Sequence, residues 1–74
     1  MFYRIIESPP GYRPDEKYMV AKYPTLAIGS SQAIFSDTGS RFFPTIENAR
    51  GALPPNAKQL PFESEPPFVE LWEA

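Results

Sequence analysis

The 74-residue sequence contains no cysteine and no histidine. Without cysteine there are no disulfides and no thiolate metal ligands. Without histidine the commonest zinc ligand and the commonest general base are both missing. Glycine is scarce, four residues set far apart, so no glycine-rich loop can cradle a phosphate. No apolar run approaches the roughly 18 residues of a membrane span. The first residues also lack the basic start and apolar stretch of a secretory signal. These absences lead us to expect a cytoplasmic protein with no cofactor, no metal and no membrane association. We assign no residue a catalytic role.

What is abundant is proline and aromatic surface. Ten prolines cut the chain into short pieces, since each fixes φ and removes a backbone donor. Phe, Tyr and Trp make up 15% of the residues. A chain this short forms one domain, residues 1–74, and buries only about 60% of its unfolded surface. With no disulfide or metal to add stability, aromatic packing or association must supply it.

The net charge of −2 names no partner, but the charges are unevenly spread. Residues 1–60 carry all seven basic side chains and five acidic ones. The segment 61–74 carries Glu63, Glu65, Glu70 and Glu73 and no basic residue. An acidic end on a mildly basic body can pack against the Arg and Lys of that body.

The local pattern predicts an α+β fold: a small, mostly antiparallel sheet of about four to six short strands, with one helix on one face. Phe2–Glu7 and Tyr18–Tyr23 are rich in aromatic and β-branched residues and read as a strand pair. Between them, the proline-rich segment 8–17 reads as a loop. Thr25–Gln32 is ambiguous: Leu26 and Ile28 alternate before Gly29 breaks the pattern. Ala33–Ser36 and Ser40–Phe43 read as a hairpin around Asp37-Thr38-Gly39, with Gly39 at positive φ. A helix is expected at about 45–53, with Thr45 as N-cap, Glu47 in the first turn and Ile46, Ala49 and Leu53 on one stripe. Pro54-Pro55 ends it. Ala57–Phe62 reads as an edge strand and Phe68–Glu73 as a final strand. Simple alternation in that final strand puts Phe68, Glu70 and Trp72 on one face and Val69 and Leu71 on the other.

Two short motifs have known parallels. Asp37-Thr38-Gly39-Ser40, after Ile34-Phe35-Ser36, is similar to the Asp-Thr-Gly of aspartic proteases, in which two half-sites share a proton. The likeness covers four residues, and the apolar-apolar-Gly element of that family does not follow it. Good turn chemistry explains the same residues. Pro9-Pro10-Gly11-Tyr12 resembles the Pro-Pro-x-Tyr ligand of WW domains, which docks as a preformed polyproline II segment. A rigid loop with Tyr12 folded onto the sheet between two strands explains the same residues more simply.

The leading functional expectation is a non-enzymatic protein-binding or self-associating domain. Apolar groups occupy both faces of the short strands, and one two-turn helix can cover only one face. The candidate interaction residues are Tyr12, Arg13, Tyr18, Phe68 and Trp72, because Trp, Tyr and Arg dominate interface energetics. The alternative is a single-stranded nucleic-acid module using Tyr3, Tyr12, Tyr18, Tyr23, Phe42 and Phe43 interleaved with Arg and Lys. An isoelectric point near 4.9 weighs against it. A small-ligand binder or enzyme ranks third.

Overall fold

The computed structural model describes residues 1–25, 30–63 and 65–74. The alternating pair Leu26 and Ile28 lies outside the described residues. The elements in chain order are β1 (Phe2–Glu7), β2 (Tyr18–Tyr23), β3 (Gln32–Ile34), α1 (Ile46–Gly51), β4 (Lys58–Gln59) and β5 (Phe68–Glu73). They form one five-stranded sheet in the order β3-β2-β1-β5-β4, with every neighbouring pair antiparallel. This is the α+β architecture that the sequence pattern predicts.

β1 is the central strand. It pairs with β2 along its whole length, from Phe2 opposite Tyr23 to Glu7 opposite Tyr18. Its other edge pairs with β5, Tyr3 facing Trp72 and Ile5 facing Glu70. Successive side chains of a strand point to opposite faces, so β1 splits its residues between two surfaces. Tyr3 and Ile5 face α1. They join Val20, Phe43 and Ala49 in the core, with Ile5 and Ala49 both 0% exposed. Phe2, Arg4 and Ile6 face the other way.

α1 forms where the cap and the stripe predict it. Thr45 Oγ1 accepts from the Asn48 backbone N–H at 3.1 Å and satisfies one donor of the first turn. Ala49 is the contact residue, and its small side chain lets the helix lie close on β1 and β2. Ile46, Ala52 and Leu53 pack around it. Six residues are too few for a stable isolated helix, so this burial holds it.

Two local expectations are corrected. The first is the 33–43 hairpin. The turn forms: Gly39 has φ +82°, and its N–H donates to Ser36 O at 2.9 Å. Beyond the Ser36 N–H bond to Ser40 O at 2.7 Å that closes the turn, however, the flanking segments do not ladder with each other. Ala33 and Ile34 pair with Ala21 and Val20 of β2. Phe43 instead bridges Tyr18 further along the same edge, by bonds of 2.8 and 3.0 Å. The free edge of β2 satisfies both segments, and this route buries Phe43 under the helix.

The second correction concerns β5. Ile5 pairs with Glu70 but Ile6 pairs with Phe68, so Val69 is an extra residue, a β-bulge. The bulge breaks the alternation. Phe68 joins Leu71 on the face opposite α1, while Glu70 and Trp72 stay on the helix face.

This division of faces predicts unequal costs for adjacent truncations. Ile5→Ala should destabilise the fold by about 2–5 kcal/mol, enough to leave much of so small a domain unfolded. Ile6→Ala, on the half-exposed face, should cost distinctly less. Urea midpoints of the two variants check this; equal losses would contradict the split.

Candidate interaction surface

The residues singled out from the sequence do not converge on one site. Tyr18 and Trp72 are half-buried and pack against the core on the helix face. Phe68 lies on the opposite face. Tyr12 is 50% exposed in the 8–17 loop, its ring 5.6 Å from that of Phe42. Arg13 is exposed beside it, its Nε donating to Glu16 Oε1 at 3.2 Å, a surface contact worth little. The nucleic-acid set is likewise divided: Tyr3 and Phe43 are buried, and Tyr23 faces away from the helix.

Trp72 has a local task. Its Nε1–H donates to Glu70 Oε1 at 2.8 Å. Arg50, in the last turn of α1, holds the same carboxylate with two donors: Nε reaches Oε1 at 2.9 Å and Nη2 reaches Oε2. Glu70 is only 7% exposed, so its charge needs these partners. The bidentate fork ties the helix to β5, twenty residues on. This is the pairing of acidic end with basic body that the charge distribution predicts, made by one Glu.

The two short motifs sit on separate surfaces. The Asp37-Thr38-Gly39 turn rims an open cleft of about 760 Å³, lined in part by Phe35, Phe42, Asn48 and Ala52. Ser36 Oγ and Thr38 Oγ1 are 2.9 Å apart, which fits turn chemistry. In Pro9-Pro10-Gly11-Tyr12, Gly11 has φ +100°, a left-handed value that breaks any continuous polyproline II run. Among the described residues there is no group of three or more Asp or Glu arranged to hold a metal ion. No helix there is long and apolar enough to cross a membrane.

The surface that does converge is the sheet face opposite α1. Register places Tyr23, Phe2 and Glu73 in one row, Ala21, Arg4 and Leu71 in the next, and Met19, Ile6 and Phe68 in the third. Ala21 and Leu71 are buried by their neighbours; Phe2, Ile6, Met19, Tyr23 and Phe68 are half-buried. Arg4 stands in the middle. Its guanidinium carbon lies 5.2 Å from the Tyr23 ring centroid and 5.0 Å from that of Phe68, a cation held between two aromatic rings. Its Nε is buried and has no hydrogen-bond partner. No carboxylate among the described residues pairs with it.

Sequence reading singled out Phe68 but grouped it with Trp72, named Tyr23 only in the nucleic-acid set, and did not single out Phe2, Arg4 or Ile6 as interaction residues. The signal was there: Phe2, Arg4 and Ile6 share one parity in a strand whose other parity is also apolar. An arginine in the centre of such a strand marks a face that is neither core nor ordinary polar surface. In comparisons with known proteins, the chain matches no protein-family model, no curated protein and no solved structure.

The Arg50–Glu70–Trp72 contacts predict the acid response. Hydrogen bonds first from Arg50 and then from Trp72, with the Arg50 charge, hold the Glu70 carboxyl below its ordinary value against the opposing effect of burial. The folded chain therefore keeps Glu70 ionised to lower pH than the unfolded chain does. Its contribution to stability is complete above the unfolded pKa of about 4.3 and is lost as pH falls through the folded one. Urea titrations between pH 3 and pH 6 should show stability falling below about pH 4.3, with a shallower fall in Glu70→Gln. Identical slopes would rule out this role for Glu70.

Proposed function

We propose that the protein is a non-enzymatic binding module that docks a protein chain on the sheet face opposite α1. The observation that carries this reading is the make-up of that face. Five large apolar or aromatic side chains, Phe2, Ile6, Met19, Tyr23 and Phe68, stand half-buried around the Arg4 cation. Adjoining, partly exposed apolar side chains on the sheet face that no helix covers support an interaction site on so small a domain. Arg4 at its centre and Tyr23 at its corner are of the residue types that dominate interface energetics. The aromatic clamp also favours binding: Arg4 loses little rotamer freedom when a partner arrives, because Tyr23 and Phe68 already hold it.

The α1 face supports the same division of labour. Its core residues carry stability, so the opposite face can be optimised for contact at limited cost to the fold.

Site-specific photo-crosslinking tests the reading. A benzoylphenylalanine at Met19, on the rim of the face, should give protein crosslinks in cell extract. The same probe at exposed Glu47 on α1 should give few. No crosslink from Met19, or equal crosslinking from both positions, would remove this face as the docking surface.

A further inference from the structure

Resting on the docking-face reading above, we propose that the occupant of this face is a second copy of the same chain, paired through reciprocal Arg4–Glu73 contacts. The argument begins with charge. Arg4 Nε is already shut inside the fold without an acceptor, and covering the rest of the guanidinium with a purely apolar partner would desolvate its charge with no counter-charge, which is strongly unfavourable. The occupant must therefore bring a carboxylate to Arg4.

The same face carries one. Glu73 lies directly opposite Phe2 in the β1–β5 ladder, as Leu71 lies opposite Arg4. It thus shares the face of Phe2 and Arg4 and stands on the diagonal from Arg4, roughly 7–8 Å away between backbones. Glu73 is exposed, and its carboxylate has no partner among the described residues. Lys58 faces it across β4 and β5 without an ion pair. Among the described residues Arg4 has no carboxylate partner and Glu73 no ion pair, so this face carries a cation and a carboxylate that a second copy can match.

The geometry suits a two-fold dimer. Arg4, Leu71, Phe2 and Glu73 form the corners of one cell of the ladder. A two-fold axis lying in the contact plane, close to the Phe2–Leu71 diagonal, carries Arg4 over Glu73 of the second copy and Glu73 over its Arg4. Phe2 and Leu71 then meet their own copies near the axis. The result is an apolar centre flanked by two identical ion pairs, the isologous arrangement in which residue i meets j and j meets i. Any two-fold that brought Arg4 against Arg4 would be opposed by like-charge repulsion. A standard interface takes about 800 Å² from each partner, roughly a sixth of this chain's 5009 Å² of surface.

Charge reversal tests the pairing. Light scattering over a tenfold concentration range should give a dimer mass for the wild type. Arg4→Glu and Glu73→Arg should each weaken the dimer at least ~10-fold, and the double reversal should restore it. Glu73 makes no side-chain bond among the described residues, so E73R keeps the test valid even if R4E, which disturbs the aromatic clamp, unfolds; far-UV circular dichroism reports on folding. A monomeric wild type, or a dimer indifferent to E73R, overturns the pairing. If the wild type is monomeric but Met19 crosslinks to a different protein, the docking face stands and only the second copy falls. If Met19 crosslinks to nothing, both fall.

Discussion

Two-sided pairing of β1 is the constraint on which the rest depends. β1 hydrogen-bonds to β2 on one edge and to β5 on the other, so its six residues are fixed in place by two ladders. Its two parities, Tyr3, Ile5 and the terminal Glu7 against Phe2, Arg4 and Ile6, are both apolar apart from Glu7 and Arg4. A strand with this composition cannot hide all its surface behind one small helix. The core on the α1 side and the half-open face behind it are two consequences of the same strand. The ladder even reaches the outermost residues: Met1 and Ala74 exchange hydrogen bonds of 3.0 Å beside the β1–β5 pair.

α1 depends on this sheet more than on itself. It has a good N-cap and an acidic first turn, but only six residues. Two contacts fix it: Ala49 against the sheet, and Arg50 on Glu70. The second is a partly buried ion pair, which seldom adds much net stability. Its value here is orientation. The fork accepts one angle of the helix over β5, and Trp72 closes the remaining lone pair of Oε1. A hydrophobic contact alone would leave so short a helix free to slide.

Much of this was legible in the residues. The β1–β2 pair, the N-cap at Thr45, the buried stripe through Ala49, the edge strand before Pro61 and the φ-positive Gly39 all follow from local chemistry. Each rests on interactions between residues close in sequence, or on the pattern within one element. The parts that were not legible involve choices between partners. Ala33 and Ile34 could have paired with 40–43 across a good turn, and paired with β2 instead. Val69 could have alternated, and bulged instead. That single extra residue moved Phe68 away from Trp72 and placed it against Arg4, so the aromatic clamp has no trace in the strand pattern of 68–73.

The sequence alone determined the class of fold, because strand and helix periods, caps and prolines act within a few residues. It also determined that chemistry depending on thiols or imidazole is excluded. Tertiary structure decided which apolar residues became core and which stayed open. It decided too that Arg50 found a carboxylate while Arg4, among the described residues, found two rings and no carboxylate. The physical reason is that these outcomes depend on strand order and register, and register sets which face every side chain occupies. Composition fixed how many charges there are; the ladder decided which of them stand unpaired beside one another.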